Sequence, residues 1–316
     1  MLEDACRNIL TSSMALKGDE TCLVVTDWKY LNIGSAFARA ANGICKESLL
    51  LLMKERGSHG EEPPKIVAEA MREADVILMP TYRSLSHTRA RKEACMNGAR
   101  VASMPQITED ILSRTSGANF EQMRKDCGIW AKLLSDARVV RVVTAKGTDV
   151  SFSVDGREGQ PDDGIYSEKG SFGNIPAGEV FIAPVEGTAE GTIVVDGSMA
   201  VDPGLLEEPI FIRMEEGHAI DIKGGKDAKA LLEKISPFGR NARNLAEFAI
   251  GTNSAAKLTG NPLEDEKVKG TIHMALGDNS TFGGTVESPS HIDGIILEPT
   301  VFFDGRKIID RGMWNI

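Results

Sequence analysis

The sequence is poor in cysteine and tyrosine and has no long apolar run. Its five cysteines all lie in the first half of the chain, and none forms a C-x-x-C pair, which argues against a disulfide framework and a thiolate zinc site. No apolar run has the length that a bilayer crossing requires, and Glu3 and Asp4 stand where a signal peptide is basic. These absences predict a cytoplasmic protein with reduced thiols.

An excess of positive charge is also lacking. The chain has 46 acidic and 36 basic side chains and a net charge of −10, which argues against nucleic acid and an anionic membrane surface as partners. The hydrophobic fraction of 41% and the length of 316 residues are those of a globular protein with one large or two medium domains. Composition thus argues against nucleic acid and anionic membranes as partners, and the function has to be inferred from the motifs.

The pattern of apolar residues changes near residue 137. Before it, short apolar runs at 22–28, 47–53, 74–81 and 99–105 alternate with segments of helical periodicity. This alternation predicts an α/β domain over residues 1–136 with a doubly wound parallel sheet. After it, alternating runs with turns at Lys146-Gly147 and Asp304-Gly305 predict a β-rich, mostly antiparallel α+β domain over residues 137–316, with one helix at 227–239.

One glycine-rich segment of the second domain holds two of the five histidines. It reads GTIHMALGDNSTFGGTVESPSHIDGIILEP, residues 270–299. His291 and Asp293 are two residues apart, so on a strand they would point to one face and could bind one ion. Glu179 and Glu247 lie in otherwise apolar stretches, where an ionised carboxylate needs a partner. Imidazole with carboxylate suits Zn²⁺, Mn²⁺, Co²⁺ or Fe²⁺; a satisfied core histidine and surface glutamates are the alternative.

The second domain resembles the metallo-aminopeptidases of the aminopeptidase T and aminopeptidase S type. The matching stretches, in that family's order, are NIPAGEVFIAP, AEGTIVVDGSM, LAEFAIGTN, DEKVKGTIHMALG and SPSHIDGIILEPTVFFDG. The resemblance implies a homodimer and two divalent ions, Zn²⁺, Co²⁺ or Mn²⁺, with the ligands Glu179, Glu247, His273, His291 and Asp293. It also implies hydrolysis of an amide bond at the free amino terminus of a small peptide or aminoacyl amide, by a metal-activated water and with Glu247 as catalytic carboxylate.

This chain departs from that family at Ser280. The aminopeptidases carry a tyrosine at this position, seven residues beyond the histidine of their HxALG motif. A phenol there would donate to the tetrahedral oxyanion, an effect of roughly 10²–10³ in rate. The Ser280 hydroxyl is the candidate replacement for this donor.

A second resemblance indicates another reaction class. The domain is also similar to ring-cleaving dioxygenases of the 2,5-dihydroxypyridine type, which bind one Fe²⁺ through two histidines and an aspartate. The triad that this chain could offer is His273, His291 and Asp293. Those dioxygenases have a histidine where Glu247 stands and lack counterparts of Glu179 and His273, so the retained glutamates favour the hydrolase. A non-catalytic metal-binding relative is the third interpretation.

A loop of the first domain is a candidate for substrate binding. The stretch DVILMPTYRSLSHTRARKEAC runs from a buried strand into a helix that begins near Thr88. In open α/β sheets, the carboxyl end of a strand that faces a helix N-terminus often binds anions. We therefore expect Tyr82, His87 and Arg89 to hold a substrate carboxylate across the domain cleft. Ordinary helix capping by Ser86 or Thr88 is the alternative.

Overall fold

The computed structural model describes residues 2–201 and 204–316. The chain forms two compact units, one of residues 2–124 and 163–177 and the other of residues 125–162 and 178–316. The first unit is therefore discontinuous in sequence, since the chain returns to it after leaving it. The predicted ranges 1–136 and 137–316 follow the chain without this return.

The two units contain eight α-helices and eighteen strands among the described residues. The helices are α1 (Leu2–Asn8), α2 (Leu31–Asn42), α3 (Lys65–Glu73), α4 (Arg89–Met96), α5 (Glu109–Thr115), α6 (Phe120–Asp136), α7 (Lys226–Ile235) and α8 (Pro262–Asp265). The strands are β1 (Thr21–Asp27), β2 (Glu47–Met53), β3 (Val76–Met79), β4 (Arg100–Ser103), β5 (Val139–Val143), β6 (Asp149–Ser153), β7 (Gln160–Asp162), β8 (Phe172–Asn174), β9 (Glu179–Ile182), β10 (Glu190–Val195), β11 (Ile210–Glu215), β12 (His218–Lys223), β13 (Leu245–Gly251), β14 (Ile272–Gly277), β15 (His291–Ile296), β16 (Thr300–Phe303), β17 (Arg306–Asp310) and β18 (Met313–Trp314). Within the part of the chain that the structure describes, none of the helices combines the length and apolar character that a bilayer crossing requires.

The first unit is built around a parallel sheet of five strands. Their order is β2-β1-β3-β4-β8, and every neighbouring pair is parallel. Strands β3 and β4 are buried along their whole length. Strand β3 is an uninterrupted apolar run, as a parallel strand covered on both faces predicts, whereas β4 begins with the buried Arg100, which pairs with Glu20 at 2.7 Å. Helices α4 and α5 are capped by Thr88 and Thr108, the residues just before them, whose hydroxyls accept hydrogen bonds from backbone N–H groups of the first turn. The predicted α/β class with a doubly wound sheet is confirmed.

The second unit consists largely of two antiparallel sheets. One has eight strands in the order β12-β11-β10-β6-β5-β16-β17-β18, and the other has five in the order β15-β14-β13-β9-β7. Asp304 and Gly305 have φ values of 49° and 83°, as the tight turn between β16 and β17 requires. Gly147, between β5 and β6, has a φ of 111°. The predicted β-rich, mostly antiparallel class is confirmed.

The end of helix α6 packs within the second unit through Trp130. This side chain is fully buried. Its ring centroid lies 6.3 Å from that of Phe303 and 5.3 Å from that of Trp314, both in edge-to-face geometry. Such aromatic contacts add to the stabilisation that burial alone provides, so Trp130 anchors α6 to the end of the eight-stranded sheet.

Candidate metal centre

The five predicted metal ligands lie on one face of the five-stranded antiparallel sheet of the second unit. Directly paired residues on neighbouring strands share a face, and so do residues two apart along one strand. The cross-strand pairs that place the five are Glu179–Gly251, Ala249–His273, Ala275–Asp293 and Gly277–His291. Glu247, two residues before Ala249 on β13, lies on the same face.

Small residues leave room on this face, which we call the ligand face. Next to the ligands, β13 and β14 contribute Ala249, Gly251, Ala275 and Gly277 to this face. The opposite face carries buried apolar side chains, among them Phe248, Ile250, Met274 and Leu276. At Gly277 the φ is 123°, and a Cβ would lie 1.9 Å from the carbonyl oxygen of Ser290. Only glycine therefore fits beside the start of β15.

The ligand atoms form two groups that share Glu247. The groups are Glu179–Glu247–His273 and Glu247–His291–Asp293, and within each the atoms lie within 4.8 Å of one another. His273 Nε2 lies 3.4 Å from Glu179 Oε2 and 3.3 Å from Glu247 Oε1. His291 Nε2 lies 3.1 Å from Glu247 Oε2 and 3.3 Å from Asp293 Oδ1. Glu247 thus directs one oxygen toward each histidine.

These separations fit ligand atoms arranged around a metal ion. Two atoms that each lie about 2.1 Å from one ion, at an angle of about 90–109°, are roughly 3.0–3.4 Å apart. Within the two ligand groups, Glu179 Oε2 and His273 Nδ1 are buried without a hydrogen-bond partner. Buried polar atoms normally have partners. The residues therefore have the donors and the spacing that a divalent metal needs.

Opposite charges crowd together on the ligand face. Burial works to lower the pKa of His273, but the hydrogen bond with Glu247 and the charge of Glu179 outweigh it and raise the pKa to about 9. Burial also works to lower the pKa of His291, yet the charge of Asp293 raises it well above the usual value. Burial works to raise the pKa of Glu247, while hydrogen bonds from both histidines hold it below its usual range. The raised pKa values mean that each histidine holds an extra proton near neutral pH. Because a ligating imidazole must be neutral, a metal that binds a histidine would displace this proton.

His291 is oriented by the loop that follows β14. Its Nδ1 lies 2.7 Å from the carbonyl oxygen of Asp278. A carbonyl only accepts, so Nδ1 carries the hydrogen and Nε2 is left to face the carboxylates. Ser280, predicted as an oxyanion donor, is exposed, and its hydroxyl donates to the Asp278 carboxylate at 3.1 Å. Ser280 therefore belongs to the loop that holds this carbonyl in place.

Two further charged residues, Glu266 and Lys267, adjoin the ligand face and pair with each other. Lys267 is fully buried; its Nζ lies 2.6 Å from Glu179 Oε1 and 2.9 Å from Glu266 Oε2. Burial raises the pKa of Glu266 to about 8, although the charge of Lys267 opposes this. Both residues lie in the polar run DEKVKG, which is typical of an exposed turn, so the local pattern gave no sign of their burial.

The residues predicted to bind substrate lie in the first unit. Tyr82 and His87 belong to the loop between β3 and α4, and Arg89 is the first residue of α4. The Tyr82 ring lies 3.5 Å from Lys29 Nζ, measured to its centroid. The Glu62 carboxylate already accepts hydrogen bonds at the N-terminus of α4, from Arg89 N at 2.5 Å and from the next N–H at 3.2 Å. The role of the three residues in substrate binding stays a prediction.

Comparison with known protein families shows which family the chain belongs to. The family model described as NicX, 2,5-dihydroxypyridine 5,6-dioxygenase, matches residues 46–315. The chain belongs to this dioxygenase family. The 2,5-dihydroxypyridine 5,6-dioxygenase of Pseudomonas putida is 23% identical over 259 residues, which are 78% of this chain and 73% of the relative. Aminopeptidase T of Thermus thermophilus is 29% identical over 170 residues, 45% of this chain and 40% of the relative.

Solved structures show that both relatives share the fold of this family member. The 2,5-dihydroxypyridine dioxygenase from Pseudomonas putida superposes with a TM-score of 0.83 at 18% identity, covering 99% of this chain and 96% of that one. Wild-type AmpT from Thermus thermophilus superposes with a TM-score of 0.75 at 17% identity, covering 100% and 99%. At these identities the likeness shows the fold and leaves the chemistry to other observations.

The predicted aminopeptidase is therefore wrong. The family matched over residues 46–315 is a dioxygenase family, and similarity to aminopeptidase T is distant and partial. The physical reason is that both classes share the fold and that imidazole and carboxylate donors suit zinc and iron alike. The predicted zinc protease chemistry, the peptide or aminoacyl amide substrate and the oxyanion role of Ser280 are withdrawn with it.

Proposed function

We propose that the protein is an Fe²⁺-dependent dioxygenase that cleaves a dihydroxylated aromatic ring such as 2,5-dihydroxypyridine. Membership of the dioxygenase family over residues 46–315 carries this proposal. The group Glu247–His291–Asp293 supports it, because its atoms have the spacing that one ion requires. His273, a member of the predicted iron triad, lies 3.4 Å from Glu179 and 3.3 Å from Glu247, so this proposal places Glu247 beside His291 and Asp293 instead.

The proposed iron ligands are Glu247, His291 and Asp293. This set has one imidazole and two carboxylates, where many non-haem Fe²⁺ oxygenases have two imidazoles and one carboxylate. When bound, the iron supplies the redox and Lewis-acid chemistry that dioxygen and the ring require. His273 donates a hydrogen bond to Glu247 Oε1 across 3.3 Å. This bond fixes the Glu247 carboxylate, whose other oxygen would face the iron.

Two phenylalanines form an apolar wall beside His291. The Phe282 ring stands edge-on to the imidazole, with centroids 5.8 Å apart, and edge-on to Phe181, with centroids 5.6 Å apart. Phe181 lies on the ligand face, because it pairs with Ala249. Gln160 Nε2 donates to the carbonyl oxygen of Phe282 at 3.2 Å and holds its backbone. A planar aromatic substrate would find an aromatic surface next to the proposed iron ligand.

The test of this function is oxygen uptake by the purified protein. The chain is loaded with Fe²⁺ without oxygen, and oxygen consumption is then followed with 2,5-dihydroxypyridine, isomeric dihydroxypyridines and dihydroxybenzoates. We expect uptake that needs both Fe²⁺ and a hydroxylated ring, and a ring-opened product that carries both atoms of labelled dioxygen. A protein that binds Fe²⁺ but consumes no oxygen with any of these rings would contradict the proposal.

Replacing Phe282 with alanine is expected to weaken substrate binding. An aromatic contact of this kind contributes about 0.5–1.5 kcal/mol beyond burial, so KM should rise by about tenfold with a smaller change in kcat. Steady-state oxygen uptake measures both constants, and iron content should stay unchanged. Phe211→Ala is the matched control, since Phe211 is 44% exposed on β11 in the other sheet. Equal KM values in the two variants would remove Phe282 from the substrate site.

A further inference from the structure

Lys267 is a charged residue inside the second unit that the proposed reaction does not use. Its side chain is fully buried. The backbone is fixed as well, because Lys267 N donates to the carbonyl oxygen of Glu264 at 2.9 Å and Asn253 N donates to that of Lys267 at 2.8 Å. An isolated ammonium at such a position would be strongly unfavourable. Its partners therefore decide what it does.

Carboxylates surround the Lys267 ammonium. Nζ lies 2.6 Å from Glu179 Oε1 and 2.9 Å from Glu266 Oε2. Both oxygens are close enough to form charge-assisted hydrogen bonds, which compensate the positive charge for the loss of water on burial. The ammonium thus stays charged and binds one oxygen of Glu179, a member of the second ligand group.

This pairing changes what the group Glu179–Glu247–His273 can bind. The Lys267 charge already balances that of Glu179. Glu247, the other carboxylate, is shared with the group that contains His291 and Asp293. A second divalent ion here would therefore have no carboxylate of its own to balance it. It would also be repelled by an ammonium bonded to the same Glu179 carboxylate, since like charges interact strongly in a buried site.

We infer that the Lys267 ammonium takes the place of a second metal ion, so that the two ligand groups together hold a single divalent ion. The inference rests on the single-iron function proposed above. In this role Lys267 is a positioning residue: it keeps Glu179 ionised and turned toward His273, whose Nε2 lies 3.4 Å from Glu179 Oε2. Metal would then bind through Glu247 and the two ligands of β15.

The experiment counts metal ions in the folded full-length chain. The apoprotein is titrated with Mn²⁺, and bound ions are counted by native mass spectrometry. Electron paramagnetic resonance then distinguishes an isolated Mn²⁺ from a spin-coupled pair. We expect one ion in the wild type and in Lys267→Arg, which keeps the positive charge. We expect two ions and a coupled spectrum in Lys267→Met, which removes the charge at similar side-chain length.

A fourth protein keeps the experiment decisive if Lys267→Met does not fold. Glu179→Gln should still bind one ion with nearly unchanged affinity, because in the wild type Glu179 is bonded to the ammonium. Two ions in the wild type, falling to one in Glu179→Gln, would overturn the inference. A folded Lys267→Met that binds only one ion would overturn it too.

The metal count and the oxygen assay fail separately. One ion in the wild type and two in Lys267→Met, without oxygen uptake on any ring, would refute the proposed dioxygenase and leave the role of Lys267 standing. Oxygen uptake by a wild-type protein with two bound ions would support the dioxygenase activity and refute the role of Lys267.

Discussion

The Asp293→Asn variant is expected to lose its metal and its oxygen uptake together. Asp293 Oδ1 lies 3.3 Å from His291 Nε2 in the proposed iron group, and the amide that replaces it carries no charge. Removing a residue that only hydrogen-bonds to a metal ligand typically lowers metal affinity about 10–100-fold. Removing a ligand itself should therefore raise the Kd for Fe²⁺ by at least about 100-fold. Metal content, Kd and oxygen uptake measure the effect.

The same variant separates a metal site from a set of ion pairs. A metal that binds only the folded state stabilises it by mass action, so a chelator should lower the Tm of the wild type but not that of Asp293→Asn. Asp221→Asn is the matched control, because Asp221 pairs with Lys223 on the surface strand β12. If the chelator lowers all three Tm values equally, or none of them, Asp293 is not a metal ligand.

The second large effect concerns stability. Trp130→Ala should destabilise the protein by about 3–5 kcal/mol, because it leaves a cavity under α6 and removes the edge-to-face contacts with Phe303 and Trp314. For a unit of this size the loss corresponds to a fall in Tm of roughly 10 °C. Thermal unfolding followed by circular dichroism measures it.

Trp28→Ala is the matched control for that substitution. Trp28 is 66% exposed, so its loss should change the Tm by little. Similar shifts in the two tryptophan variants would show that Trp130 is not an anchor of the second unit.

The layered fold could be predicted because it follows from local patterns. Apolar runs that alternate with helical segments indicate parallel strands, and the Asp304-Gly305 pair indicates a tight turn; both features are present. The return of residues 163–177 to the first unit could not be predicted. Strand β8 (Phe172–Asn174) is only three residues long, too short for a periodic pattern, and its pairing with β4 depends on contacts distant in sequence.

The clustering of the five predicted ligands could be expected from the sequence, whereas the class of reaction could not. Charged residues in the apolar strands β13 and β14 indicate the site, because Glu247 and His273 need partners there. The pairing of Lys267 with Glu179 joins residues far apart in the chain, and DEKVKG is a polar run. The ligand types alone could not distinguish an aminopeptidase from a dioxygenase, since zinc and iron both bind imidazole and carboxylate.

The return of the chain at residues 163–177 has a consequence for protein synthesis. Strand β4 receives its outer neighbour only when β8 has been made, and by then α6 and strands β5 to β7 have already been translated. Until that moment β4 presents an open sheet edge, which is a template for wrong pairing. The N-terminal α/β unit therefore cannot be completed before the second unit is under way. A fragment that stops at residue 124 or 136 should expose this edge and aggregate, whereas co-expression with the 163–177 segment restores the missing strand.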